Sequence, residues 1–317
     1  MRILSPIDRA AEVGPLVDAG ADELYGGYVS GAWLKKYSLL GSANQRYFPS
    51  AQFSGLSELR ATIKDAHRRG AKFFLVLNAP FYTAAQHDDL LVDAARYAGY
   101  GVDAFIVADI GLIMRLRDRL PGVPVHLSTL STIFNSAAAG FFERLGVGRM
   151  VLPRELTLAE MAGIAKANPS VEFDAFIMVG KCPNIEGFCS FTHNSPDLIW
   201  PCEESYDVGI LSGGDAAAKV VQAQSGWSRV NRRQACGLCA VAGLKDAGVT
   251  ALKLVGRGGP TAMKVRLTQA VRRMVDYAGA GHAKDAMEHE AKTIYKEVFG
   301  KDCNPYICYF PELWQRP

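Results

Sequence analysis

The chain has 317 residues, 49% of them hydrophobic and 21% charged, a balance that supports a large core and excludes an intrinsically disordered chain. Its formal charge of +3 is too small to argue for or against nucleic acid or anionic membranes. No apolar run reaches the about 20 residues that a membrane-spanning helix needs, and the opening MRILSPIDRAAEVG carries charges where a secretion signal is apolar, so the expected compartment is the cytoplasm.

From the N-terminus onward one pattern repeats: a helical stretch closes on Gly, a small or polar residue follows, and a short apolar run comes next. It is seen in DAGADELYGG (18–27), RRGAKFFLVLN (68–78), GYGVDAFIVAD (99–109), RLGVGRMVLPRE (144–155) and DAGVTALKLVGR (246–257). Gly ends a helix because it enters the left-handed region without a Cβ clash. The apolar runs have the length of strands buried on both faces. In chain order the predicted strands are 2–4, 23–25, 73–77, 104–107, 123–127, 149–152, 173–178 and 251–255. Strands and helices in alternation imply parallel pairing, and eight strands close a (β/α)8 TIM-type barrel. An open doubly wound sheet uses the same units, but no G-x-G-x-x-G follows the first strand. Leu56, Leu59, Ile63 and Ala66 form one face of a helix over 54–70, and Thr157 with Glu160 forms a capping box. The expected organisation is a barrel over 1–280 with an insertion at 181–235 after strand seven, and a helical, cysteine-bearing tail over 281–317.

The working face of such a barrel is built from the strand C-terminal ends. The polar residues expected there include Ser5, Asn78, Asp109, Ser128, Thr129, Asn135, Arg154, Glu155 and Arg257. Each has a second reading: Asn78 shaping a turn, Asp109 or Ser128 capping a helix, Arg154 and Glu155 forming a structural ion pair.

All seven cysteines lie between Cys182 and Cys308. In a reducing compartment thiols so clustered are metal ligands or free thiols rather than disulfides. Cys182, Cys189 and Cys202 fall in the long segment after strand seven, and Cys236 and Cys239 form a C-x-x-C just before strand eight. Such thiolates suit a soft metal, as an iron–sulfur cluster or zinc. Cys303 and Cys308 are surplus to one cluster. They are expected either to approach the C-x-x-C and make a second metal site, or to be buried by the tail as small hydrophobes.

The chain resembles the peptidase U32 family, also called collagenase-like proteases. The resemblance rests on DAGADELYGG, LSELRATIKDAHRRGAKFFLVLN, the long segment VDAFIVADIGLIMRLRDRLPGVPVHLSTLSTIFNSAAAGFFERLGVGRMVLPRELTLAEM, and LKLVGRGG, similar to the family's LKIEGR, in that order. It implies oxygen-independent hydroxylation of a small molecule or of ribosomal or transfer RNA, with a [4Fe–4S] cluster on four cysteines. Cys182 and Cys189 match the spacing of the first two ligands, Cys202 the third, and Cys236 or Cys239 the fourth. The family's His before the first ligand is absent from Val179-Gly180-Lys181-Cys182, and the Glu of LKIEGR is Val255. On this reading Glu155, Arg154, Asn78 and Asp109 position substrate and Arg257 pairs with an anionic group. A peptidase is the alternative that the family name offers, with Cys189 and His193 as its one conceivable Cys–His pair; H-E-x-x-H and G-x-S-x-G are absent. A non-catalytic subunit of a heteromeric complex is the third reading. SRVNRRQ (228–234) is a short basic run, read as an RNA contact or as a solvated loop.

Overall fold

A computed structural model describes residues 1–37, 43–46, 49–182, 184–188, 214–219 and 233–314. Eight parallel strands close a barrel in sequential order: β1 (Arg2–Pro6), β2 (Glu23–Gly26), β3 (Lys72–Leu77), β4 (Ala104–Val107), β5 (Val125–Leu127), β6 (Arg149–Val151), β7 (Glu172–Met178) and β8 (Val249–Leu254). The last strand returns to the first, with Arg2 opposite Ala251 and Leu4 opposite Lys253. The predicted strands all form. Most differ from the predicted ranges by one or two residues at an end, and for β5 and β8 the local reason is plain. β5 starts after Pro124, which has no N–H to give a ladder, although its carbonyl still accepts from the Phe105 N–H. β8 gains Val249 at its start and stops at Leu254, before Gly256 turns the chain at φ 142°.

The crossover helices are α1 (Val13–Asp18), α2 (Gly31–Tyr37), α3 (Leu56–Arg68), α4 (Ala84–Ala98), α5 (Ile110–Arg119), α6 (Ser136–Arg144), α7 (Leu158–Ala167) and α8 (Val241–Asp246). Two more follow the barrel, α9 (Thr261–Gly279) and α10 (Lys284–Phe299). Helix starts are set by side chains the sequence advertises: the Thr157–Glu160 capping box opens α7, and a second box, Thr83 with Gln86, opens α4. The predicted apolar face of α3 is in place, with Leu59, Ile63 and Ala66 fully buried against the barrel.

The barrel interior has two layers of different chemistry. At the N-terminal end Arg149 reaches across to Glu23 and to Asp174, whose Oδ1 accepts from Nε at 2.8 Å, and all three are buried. Above this ionic plug sits an apolar cluster of Leu4, Tyr25, Phe74, Val76, Ala104 and Ile106. His126 lies against the Phe74 ring, and burial holds its pKa well below the usual histidine range, so it is neutral. The floor of the mouth is therefore largely apolar.

After α10 the chain folds back on the barrel. Cys236 pairs with Met178 on one side and with Cys308 on the other as isolated bridges. Ile307, Tyr309 and Phe310 are buried there. No helix among the described residues is long and apolar enough to cross a membrane.

Candidate functional site

The strand C-terminal ends surround a cavity of about 670 Å³, within the range of pockets that hold small molecules. Its wall includes Asn78, Ser128, Thr129, Arg154, Cys182 and Arg257. Among the described residues seven Arg and Lys side chains border it against one carboxylate, Glu186.

Much of the wall is held by ion pairs. Asp8, just past β1, binds the Arg46 guanidinium at 2.8 Å and the Lys264 ammonium of α9, and accepts the Gly258 N–H at 2.7 Å. Glu12 takes Lys264 at 2.8 Å and the Thr261 hydroxyl at 2.7 Å. Arg46 also donates to the carbonyls of Ala51 and Tyr25. This buried network fixes the Val255–Pro260 turn, and with it the position of Arg257 at the cavity wall. Even with Asp8, Glu12 and Glu186 set against the cations, the described residues of the mouth keep a surplus of positive charge.

Lys253 supplies part of that surplus from below. It lies on β8 with its ammonium 4.2 Å from the centre of the Tyr25 ring, and it borders the cavity. Burial, opposed by Asp174 and reinforced by nearby arginines, lowers its pKa from 10.5 to about 7. A lysine so placed exists as both amine and ammonium near neutral pH.

Arg154 and Glu155 act on the first limb of the insertion. Arg154 pairs with Glu186 through its side chain and donates its backbone N–H to Glu186 Oε2 at 3.0 Å. Its guanidinium stacks 3.3 Å from the centre of the Phe176 ring. Glu155 accepts the Glu186 N–H at 2.9 Å, and burial raises its pKa. The two expected substrate-positioning residues thus clamp the segment that follows Cys182. Gly187 completes the clamp. Its φ is +92°, and a Cβ there would stand 2.4 Å from the Thr132 side chain, so only glycine lets the segment sit down. Val179, where β7 gives way to the insertion, has φ +53°, an unusual conformation for a β-branched residue, held because its N–H reaches the Ala235 carbonyl at 2.8 Å and its carbonyl accepts the Tyr309 hydroxyl.

The other expected residues divide. Asn78 borders the cavity and ties the mouth together, accepting the Gln45 N–H at 3.0 Å and donating to the Ser128 hydroxyl at 3.2 Å. Asp109 is not among the residues lining the cavity; it caps α5 at the Leu112 N–H and takes His87 at 2.7 Å, in line with its second reading as a helix cap. Asn135 likewise caps α6, and Ser5 is buried against Thr268 of α9. Thr129 Oγ1 and Arg154 Nε, both in the cavity wall, are buried without a hydrogen-bond partner among the described residues, the condition a bound polar ligand relieves.

The described cysteines fall in two places. Cys182 borders the large cavity. Cys236, Cys239, Cys303 and Cys308 line a second, much smaller one between the C-x-x-C turn and the tail. Cys189, Cys202 and His193 lie outside the described residues, as does most of SRVNRRQ. Among the described residues no group of three or more His, Cys, Asp or Glu side chains is placed so that it could hold a metal ion.

Sequence reasoning missed Glu186, Lys253, and the Asp8–Arg46–Lys264 network. Lys253 left a legible signal, a lone lysine in the apolar run ALKLV. Arg46 and Glu186 left none, since their roles depend on segments brought together from afar.

Comparison with known proteins agrees with this architecture. The profile of peptidase family U32 matches residues 9–312. The tRNA hydroxylation protein P of Escherichia coli (strain K12) is 30% identical over 187 residues, 59% of this chain and 38% of that protein. The 23S rRNA 5-hydroxycytidine C2501 synthase of the same organism is 30% identical over 290 residues, 87% of this chain and 39% of that protein. The chain thus spans well under half the length of both. The tRNA hydroxylation protein P2 of Bacillus subtilis (strain 168) is 23% identical, with 89% of this chain and 86% of that protein covered. Among solved structures, the U32 peptidase Mk0906 superposes with a TM-score of 0.52 at 16% identity, covering 82% of this chain and 94% of that one.

Proposed function

The chain belongs to peptidase family U32, and we propose that it takes part in hydroxylation-related modification of an RNA base at the mouth of its barrel. The observation that carries this reading is the cavity itself: about 670 Å³, open at the catalytic face, cationic, and holding buried polar atoms without partners. A flipped-out nucleoside brings a flat base with polar edges and flanking phosphates, and these are the complements of that wall. Arg257 on its pinned turn and Lys181 at the rim would take phosphate, while Asn78 and Thr129 would face the base. The tRNA- and rRNA-directed names of the similar proteins support RNA over a free small molecule.

We further propose a [4Fe–4S] cluster as the resident cofactor, held by Cys182, Cys189 and Cys202. Its donor set fits in kind: Cys182 is a thiol at the cavity wall, and the other two follow it in the same insertion. Cys236 and Cys239, the candidates for a fourth ligand, face the smaller cavity instead. When bound, the cluster supplies one-electron chemistry beside the substrate. The protein's part is positional. The Arg154–Glu186 clamp sets where the insertion leaves β7, and Tyr25, Val76 and Ile106 would offer the base an apolar surface beneath it.

The test is RNA binding and iron content in protein purified without oxygen. Bulk tRNA and rRNA should bind with an affinity that falls steeply with salt. Arg257→Ala should weaken binding and lower the salt slope by about one phosphate contact. Cys182→Ser should lose iron. RNA binding unchanged in Arg257→Ala, together with undiminished iron in Cys182→Ser, would contradict both parts.

A further inference from the structure

We propose that Lys253 is a nucleophilic amine that forms an imine with a small aldehyde or ketone bound in the cavity. This activity goes beyond the RNA reading and does not depend on it.

The observation that carries it is a contrast among the cations bordering the cavity. Arg46 is tied to Asp8, Lys264 to Asp8 and Glu12, Arg154 to Glu186, and Lys181 to the Cys308 carbonyl. Lys253 is different. It is only 7% exposed and lines the cavity, yet its side-chain nitrogen has no hydrogen bond and no ion pair with any described residue. It rests on the face of the Tyr25 ring, 4.2 Å from the ring centre. Tyr25 offers that face and not its oxygen, because its hydroxyl donates to the Leu254 carbonyl at 2.7 Å. Asp174, a carboxylate whose charge Lys253 feels, is taken by Arg149 at 2.8 Å.

A lysine is almost never buried unless it is paired. Arg149 and Lys264 obey that rule in the same barrel, and Lys253 does not. A structural role would have left it with a carboxylate. An amine held at a cavity wall without a bond of its own is instead available to a ligand.

Two conditions make a lysine a nucleophile: its nitrogen must lose its proton, and the lone pair must stay uncommitted. Burial and the charges of Arg149, Arg46 and Arg154 favour the free amine here, opposed by Asp174. The lone pair has no donor among the described residues. The amine adds to the carbonyl carbon, a C–N bond forms, and the carbonyl oxygen takes up a proton. The oxygen then leaves as water, carrying in all the two hydrogens of the amine, and a C=N bond remains. No oxidant or reductant enters the step. Once protonated, the imine draws electrons from the bonds beside the former carbonyl carbon. Val76, Ile106 and Phe176, the last being the β7 partner of Lys253 in the ladder, also line the cavity. They suit an apolar substituent on the carbonyl compound.

The experiment treats the full-length protein, purified without oxygen, with propionaldehyde and sodium cyanoborohydride. The hydride adds to the imine carbon and fixes the propyl group on the lysine that formed it. Peptide mass mapping then gives a rate for each lysine. Lys253 should react first at pH 7, at least about tenfold faster than exposed lysines such as Lys36 and Lys284, whose amines are almost wholly protonated there. Its rate should rise with pH up to about 7 and then level off, whereas theirs should climb through pH 10. In urea-unfolded protein the preference should vanish. Lys253→Arg should lose the fast adduct and keep the slow ones, while the wild-type map alone decides the matter if that variant fails to fold. Lys253 left unmodified while exposed lysines react, a rate no faster than theirs, or a preference that survives urea would each overturn the proposal. The assay contains no RNA and reads no iron, so failure of the RNA reading and failure of this one are seen separately.

Discussion

Lys253 is an ionisable residue whose environment opposes its charge. Burial under the mouth lowers its pKa from 10.5 to about 7, so between those values the unfolded chain binds more protons than the native one. Stability contributed by this position therefore rises with pH across that window, and below about pH 7 the full cost of burying an ammonium is present. At about 1.4 kcal/mol per pH unit the cost is about 3–5 kcal/mol. Lys253→Met should accordingly be more resistant to urea than wild type at pH 6, and the advantage should shrink toward pH 10. A gap that stays constant from pH 6 to pH 10 would show that Lys253 is not titrating as described. Sequence alone put this lysine on the eighth strand but did not single it out, because its surroundings were out of reach: Tyr25, Asp174 and Arg149 stand on three other strands, and only barrel closure brings them to it. The same holds for Asp109. Its place at a strand end was legible, but whether an aspartate there meets a ligand or the first turn of its own helix depends on a side-chain torsion that no sequence pattern records.

At the scale of elements, the N-terminal plug and the insertion clamp make opposite predictions. Arg149 is buried between Glu23 and Asp174, so Arg149→Met would strip both buried carboxylates of their shared hydrogen-bonding cation, leaving Glu23 only Arg2 at 3.4 Å. Breaking such a pair costs about 3–5 kcal/mol, and denaturant melts at neutral pH should show a loss of that size with the fold retained. The loss should be smaller at pH 5, where the stranded carboxylates can take up protons. An unchanged midpoint would mean that the plug contributes no stability. Gly187→Ala acts locally instead. Its Cβ would meet Thr132 at 2.4 Å and force φ +92° on alanine, so the segment after Cys182 should lift from the Arg154–Glu186 clamp. Protease cleavage within 181–235 should become faster, while the global melting midpoint moves by about 1 kcal/mol or less. Equal cleavage rates would show that the clamp does not hold the insertion. The strands of both elements were readable because a short apolar run after glycine has few alternatives. The clamp was not, because Glu186 reads as an ordinary turn residue until Arg154 is seen beside it.

For the whole molecule, the barrel separates stability from chemistry along its axis. The ionic plug and apolar layer sit at the N-terminal end, and the pinned turns, the cationic cavity and Cys182 sit at the other. The tail closes on the back of that second end rather than forming a module of its own. The lopsided placement of the cysteines was visible in the sequence, as was the choice between a tail that joins the C-x-x-C and one that does not. What brought Cys308 next to Cys236 is a single backbone bridge, beyond the reach of spacing or periodicity. The central claim, that this mouth serves RNA base modification, is tested most directly by mass spectrometry of nucleosides from total tRNA and rRNA. Cells lacking the gene would be compared with cells restored by wild type and by Cys182→Ser. The account predicts one nucleoside lighter by a single oxygen atom in the deletion, recovered with wild type and not with Cys182→Ser; identical nucleoside profiles in all three would contradict it.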